Sequence, residues 1–427
     1  MIKRIVLCIL LISLVSSSAM AQTNNPVIVQ LGALGSLTNV LNVLGGTLLD
    51  QIPGTNIYLL NLPNIPVVTP LLQLVLNIVF LEPDRQISAP HRGKWGIVTV
   101  GSKTAHDFYK GQPGLLLVRA NLAQTYSTGR GIVVADLNSQ VDYAHPALVG
   151  HLTSGYDFVA GRSGYQAVLD QSSSSFLDQS SSSFLDSYQS SSAFLDQSSS
   201  AFLDQSAAGF LDQSAAGFLD AGNPAHGHGT LCAGIIAAVA PNSMIMPLRV
   251  FDDTGNADVF SIAKATYWAV QHGARVVNMS FGLASSYGSV QAALAYAASH
   301  NVQVVAAAGN AATSTPQFPA SASGVIGVAA TDLNDVKATF SNYGSTIYVD
   351  APGVNVVSAY PGGYYAVVSG TSFSAPIVAA ETALVMSVKT SSAKTIVGSA
   401  TVNIYPKNPS YSGQLGHGRV DLLNAVK

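Results

Sequence analysis

Residues 274–308 read ARVVNMSFGLASSYGSVQAALAYAASHNVQVVAAA. A short apolar run, Ala274 to Met279, leads into a small-residue helix candidate, Val290 to His300. A second apolar run follows, Val302 to Ala308. Runs of this length suit strands buried on both faces, and the helical stretch between them is long enough to cross back over a sheet. The same alternation extends outward from Gly131. Ile132 to Ala135, Ser243 to Val250 and Val325 to Ala329 are further strand candidates, while Ala233 to Ala240, Val259 to His272 and Ala375 to Lys389 are helix candidates. Alternating strands and helices predict an α/β fold, a largely parallel β-sheet flanked by helices.

The chain has 427 residues, of which 48% are hydrophobic and only 10% charged. Soluble domains average about a quarter charged residues. A formal net charge of -3 with no basic stripe argues against a nucleic-acid partner. Lys3 and Arg4, the apolar run Ile5 to Val15 and Ala19-Met20-Ala21 have the layout of an export signal over residues 1–21. The expected location is therefore secreted or otherwise extracytoplasmic. With the signal and Cys8 removed, Cys232 is the remaining cysteine, and an intrachain disulfide is not expected.

Residues 22–90 read as a small α+β unit and linker. Pro26 to Leu31 and Asn56 to Leu62 are strand-like, Leu37 to Leu44 is helical, and Gly45-Gly46 ends it. Leu71 to Phe80 is balanced between helix and strand, and Arg85 to Gly93, with Pro90, is expected to be an exposed linker. Residues 91–427 form the main domain. Inside it, residues 169–220 carry a Ser/Ala-rich repeat of octapeptide type built on Phe-Leu-Asp. It reads either as short stacked turns or as a serine-rich spacer tolerated at the surface. Its recurrent Asp raises calcium binding as an idea, but the spacing matches no calcium loop and no ligands can be assigned.

Three separated elements carry chemistry. Ala225-His226-Gly227-His228-Gly229-Thr230 leads into an apolar helix candidate that would hold the imidazole of His228. Ser369-Gly370-Thr371-Ser372-Phe373-Ser374-Ala375-Pro376 places Ser372 at a helix start, beside backbone N–H groups that lack helical partners. Ala306-Ala307-Ala308-Gly309-Asn310 ends a strand with a side-chain amide able to donate to a developing oxyanion.

Together with Asn278-Met279-Ser280-Phe281-Gly282, these blocks resemble, in order, the signatures of the subtilisin-like serine peptidases, the subtilase family. The resemblance runs from about Gly131 to the end and includes Gly416-His417-Gly418-Arg419-Val420. It implies a general base at His228, a nucleophile at Ser372 and an oxyanion donor at Asn310, with the Ser372 N–H beside it. Ser280, Phe281 and Gly282 correspond to the family segment that pairs with a bound peptide, so a protein or peptide substrate is implied. Cys232 corresponds to a buried neighbour of the histidine. Residues 22–90 resemble the family's inhibitory propeptide, an intramolecular partner. The mechanism needs no cofactor, and although structural calcium occurs in the family, no residue here can be assigned to it.

One block departs from the family. Asp136-Leu137-Asn138-Ser139-Gln140-Val141-Asp142-Tyr143-Ala144-His145-Pro146 puts Asn138 where the triad's aspartate belongs, and Gln140 where a glycine is usual. Asn138 could orient the histidine through its amide oxygen without supplying charge. In the trypsin-type triad the corresponding change lowers turnover by about 10⁴ through the wrong tautomer. Asp136 could substitute; it shares a strand face with Asn138 but lies about 6.6 Å along the strand. Asp142 is a third acid, at a different family position. The expected function is a serine endopeptidase, slow if Asn138 is the orienter. The alternatives are a catalytically silent peptide-binding protein and an exported structural or adhesive protein acting through its repeats. The Asn278-Met279-Ser280 glycosylation sequence is set aside because it falls in a core strand.

Overall fold

The computed structural model describes residues 25–63, 70–88, 96–98, 108–163 and 226–427. The export signal, the Pro90 portion of the linker and the repeat lie outside the described residues. The chain divides into two compact units, one ending at Asp84 and the other running from Arg85 to Lys427.

The first unit contains β1 (Asn25–Leu31), α1 (Leu37–Leu44), β2 (Thr47–Gln51), β3 (Ile57–Leu62), α2 (Pro70–Leu76) and β4 (Ile78–Pro83). Its antiparallel sheet has the order β2-β3-β1-β4. Val27, Val29 and Leu31 alternate along β1 into a core with Val40, Leu60, Leu62 and Ile78. Ser36 caps α1 by accepting from the Asn39 N–H. The balanced Leu71–Phe80 stretch resolves as helix then strand, turning at Asn77 with φ 53°.

The second unit begins with β5 (Gln86–Ser88) and β6 (Gly96–Val98), followed by the short helices α3 (Pro113–Leu117) and α4 (Ala120–Ala123). Next come β7 (Val133–Asn138), β8 (Tyr156–Asp157), β9 (Arg162–Ser163), α5 (His228–Val239), β10 (Met244–Arg249), β11 (Asn256–Asp258) and α6 (Val259–Gln271). The alternation continues with β12 (Val276–Met279), α7 (Gly288–Ser299), β13 (Gln303–Ala307), β14 (Ile326–Thr331) and β15 (Val349–Pro352). A hairpin, β16 (Val356–Tyr360) and β17 (Tyr364–Val368), precedes the long helix α8 (Thr371–Val388). The chain closes with α9 (Ala393–Ser399), β18 (Thr401–Val402), β19 (Arg419–Val420) and α10 (Leu422–Val426).

The main sheet has the order β18-β19-β15-β14-β13-β12-β7-β10-β8-β9, and the run from β15 to β10 is parallel throughout. Val134, Val276, Val305 and Val328 join one core with the inner residues of α5 and α8. Their strand neighbours Ala135, Leu137, Val277 and Met279 are equally buried, so the opposite face is also covered. There α6 and α7 pack on each other and on β7, β10 and β13.

Order in the sheet places the site. From β7 the chain goes to β10 on one side, then to β12 on the other, and continues away through β13 and β14. Carboxyl ends of parallel strands at such a reversal leave a crevice. Asn138 ends β7, Ser280 follows β12, and Asn310 lies just beyond β13.

Two helix starts differ from the sequence reading by a turn or more. The helix expected from Ala233 starts at His228, and the one expected from Ala375 starts at Thr371. In both, small and hydroxyl residues hide the first turn from a hydrophobic-period reading. The expected linker contains β5, which pairs antiparallel with β11.

Candidate active site

His228 is the first residue of α5, and glycines on both sides let it sit there. Gly227 has φ 79°, and a Cβ on it would fall 2.5 Å from the Tyr360 ring. A Cβ on Gly229 would lie 2.5 Å from the Ser139 carbonyl oxygen, so this helix turn touches the loop after β7 backbone to backbone. The contact is sealed by the Gly229 N–H donating to Ser139 Oγ at 3.0 Å.

The imidazole meets Asn138 across this contact: His228 Nδ1 lies 2.7 Å from Asn138 Oδ1. The same oxygen accepts the Ser139 N–H at 2.9 Å. Asn138 Nδ2 points the other way, to both carboxylate oxygens of Asp136 at 3.3 Å each. Strand register sets Asn278 of β12 opposite Asp136, and its Nδ2 donates to Asp136 Oδ1 at 2.7 Å and to Ser280 Oγ at 2.9 Å. Ser280 Oγ in turn donates to the Ser372 carbonyl oxygen at 2.8 Å.

Burial governs protonation here. Asp136, fully buried, is pushed up to about 7, a rise that the Asn278 and Asn138 amides partly oppose. Burial brings His228 down to about 4, which keeps the ring neutral near pH 7. It also drives the Cys232 thiol well up, with the nearby Asp136 carboxylate adding to the effect. Cys232 Sγ lies 3.9 Å from His228 Nδ1 and 3.5 Å from the Ser372 carbonyl oxygen. A buried protonated thiol is a packing group, not a nucleophile.

Ser372 is the second residue of α8, where backbone N–H groups have no helical acceptor. Its hydroxyl donates to the Ser280 carbonyl oxygen at 2.9 Å. Asn310 is held beside it: its Oδ1 accepts from both the N–H and the hydroxyl of Thr371, each at 2.9 Å. That leaves the Asn310 amide nitrogen as donor, 3.5 Å from where a Cβ on Gly370 would stand. Phe281 turns its ring inward against Phe251, with centroids 5.4 Å apart, and Gly282 packs on Gln317 so closely that a Cβ would overlap it at 2.0 Å. The Phe281 ring and the space beside Gly282 are thus taken up by packing.

The structure thus gathers His228, Ser372, Asn138, Asn310 and Ser280 at one corner. Asp136 joins through Asn138, and its carboxylate contacts are with the two amides. Asp142 is held elsewhere, accepting from the Ala144 and Gly362 N–H groups at 2.9 Å each. Sequence reasoning placed Asn278 in a signature block and in a glycosylation sequence, but missed it as a member of this network. A polar residue in an otherwise apolar strand, like Asp136 in the adjacent one, was the available signal. Among the described residues no cluster of three or more His, Cys, Asp or Glu side chains is placed to hold a metal ion.

Comparison with known proteins converges on one group. The profile of the "Subtilase family" matches residues 129–417. Thermitase of Thermoactinomyces vulgaris is 38% identical over 212 residues, spanning 47% of this chain and 75% of thermitase. Subtilisin Savinase of Lederbergia lenta is 41% identical over 169 residues, 38% of this chain and 63% of that protein. Among solved structures, fervidolysin of Fervidobacterium pennivorans, described as a keratinolytic enzyme related to subtilisin, superposes with a TM-score of 0.70 at 21% identity. That match covers 96% of this chain and 62% of fervidolysin.

Proposed function

The chain belongs to the subtilase family, and from that premise we propose that it is a secreted serine endopeptidase working through an acyl-enzyme. The observation that carries the reading is the 2.7 Å contact between His228 Nδ1 and Asn138 Oδ1. An amide oxygen at that distance requires a proton on Nδ1, which makes Nε2 the basic nitrogen.

In this reading His228 Nε2 takes the Ser372 hydroxyl proton as Oγ bonds to the substrate carbonyl carbon. The hydroxyl leaves Ser280 O for the imidazole by rotating about its side-chain bond. Asn310 Nδ2 and the Ser372 N–H receive the oxyanion. The imidazolium then protonates the leaving amine as the C–N bond breaks, and water repeats the sequence to free the enzyme. Asn138 holds the ring throughout but brings no negative charge to the imidazolium, so turnover is slow. A protein substrate binds by its main chain along Ser280-Phe281-Gly282.

Residues 22–90 act as an intramolecular inhibitor in the same reading. Support comes from the stretch just after Asp84: β5 lies antiparallel on β11, and the Val259 N–H donates to Arg85 O at 3.1 Å. A strand added to an edge in this way is how an extended peptide is recognised. Activity should therefore appear in step with loss of the N-terminal segment.

A fluorophosphonate probe tests the main proposal. It should label the wild-type chain at Ser372 and leave Ser372→Ala unlabelled. A folded, processed protein that neither reacts nor cleaves peptides would overturn the reading.

A further inference from the structure

We propose that Asp136 is a positioning residue that selects the reactive tautomer of His228 by holding the Asn138 amide in one of its two orientations. This rests on the peptidase reading for its consequence in turnover, though not for the orientation itself.

An asparagine in an orienter's position is ambiguous, because its amide can offer the imidazole either an oxygen or an NH2 group. With the oxygen, His228 carries its proton on Nδ1 and Nε2 is a base. With the NH2 group, Nδ1 must accept, the proton moves to Nε2, and the ring cannot deprotonate Ser372. Here two contacts remove the ambiguity. The Ser139 N–H donates to Asn138 Oδ1, and the Asp136 carboxylate takes Asn138 Nδ2 with both oxygens. Turning the amide over would set its oxygen against the Asp136 carboxylate and its NH2 group against the Ser139 N–H.

Asp136 is itself held by the sheet. It lies inside a parallel ladder, opposite Asn278 on β12 and Pro247 on β10, with no exposed surface. Asn278 donates to it at 2.7 Å. A buried carboxylate in a central strand is costly, and its two amide donors both lead to the candidate site: one to His228 through Asn138, the other to Ser372 through Ser280. A side chain serving only the core would not need that arrangement. Its value lies in giving a neutral orienter the directionality that a carboxylate has by symmetry.

A double-mutant cycle on the full chain, with histidine ring ¹⁵N spectroscopy at pH 8, tests this. Asp136→Val should lower kcat on the order of 10- to 100-fold with little change in KM, and should turn the His228 signal from Nδ1–H to a mixture of tautomers. In an Asn138→Asp background there is no amide to orient, and the same change should cost far less or raise kcat. Asp136→Ala, which also removes the acceptor, repeats the comparison if the valine variant does not fold. An unchanged tautomer, or equal losses in both backgrounds, overturns the proposal by reducing Asp136 to a packing residue. A tautomer shift in a protein with no peptidase activity would uphold the orientation while removing the proposed function.

Discussion

Asn138 Oδ1 faces His228 Nδ1 at 2.7 Å, and the Ser139 N–H shares that oxygen. A neutral amide thus stands where a charged carboxylate is usual, yet it is turned so that the imidazole holds its proton on the correct nitrogen. In the proposed mechanism it lacks compensation for the imidazolium in the transition state. This divides the defect into a part already corrected by geometry and a part that only charge can correct.

Restoring the charge should therefore help, but by less than the about 10⁴-fold associated with wrong-tautomer substitution. Asn138→Asp is expected to raise kcat roughly 10- to 100-fold, measured on a chromogenic peptide. The gain should grow when Asp136 is also removed, because the new carboxylate would sit against an existing one.

Ser372→Ala should abolish hydrolysis and leave the fold intact. The expected loss is on the order of 10⁴- to 10⁵-fold, smaller than the about 10⁶-fold of the corresponding change in subtilisin, because neutral Asn138 already lowers the starting rate and triad losses do not add. Residual activity within tenfold of wild type in a peptide assay would remove Ser372 from the nucleophile's role.

The acid limb of activity should fall near pH 7 and belong to Asp136. Below that pH the carboxyl is protonated and needs an acceptor, while the groups facing it are the NH2 groups of Asn138 and Asn278. Turning Asn138 over satisfies that proton and reverses the His228 tautomer. The other ionisable groups around this point, Cys232 and His228, lie on α5; burial drives the thiol well up and brings the imidazole down to about 4. A kcat profile that keeps its limb near pH 7 in Asp136→Asn would contradict this assignment.

Stability should carry the matching signature. The folded value for Asp136 is raised from 3.8 to about 7, so the folded state binds more protons in that window. Its favourable term is fully present below about pH 4 and is lost as pH rises through about 7, by on the order of a few kcal/mol. His228, lowered from 6.5 to about 4, has the opposite slope over most of that range. Urea unfolding at pH 5 and pH 8 should show Asp136→Val losing less stability on going alkaline than wild type does.

Glu381 offers a separate check. It is fully buried in α8, and neither carboxylate oxygen has a hydrogen-bond partner, so burial holds it protonated well above the usual carboxylate range. Glu381→Met should stabilise the protein by roughly 1–3 kcal/mol, increasingly as pH rises, because the acid ionises in the unfolded chain while burial opposes its ionisation in the folded one. Thermal unfolding across pH reads this directly.

Much of the arrangement was legible in the chain alone. Alternating apolar runs and helices gave away a parallel sheet because strands covered on both faces cannot hide their hydrophobicity. Gly227-His228-Gly229-Thr230 and Gly370-Thr371-Ser372 were readable because close backbone approach and a helix start demand small residues at fixed neighbours. The family resemblance, registered from Asp142 and His145-Pro146, implied that Asn138 stands in the orienter's position. Sequence could not decide among Asn138, Asp136 and Asp142, since all three are short polar residues within one loop and strand. Tertiary structure sets which of them meets the imidazole, and that residue is Asn138. Only the register of β7 against β12, joining residues 142 apart in sequence, brings Asn278 onto Asp136 and turns the Asn138 amide. Hydrogen-bond direction depends on what lies across the sheet, and a strand's own sequence carries no record of its neighbour.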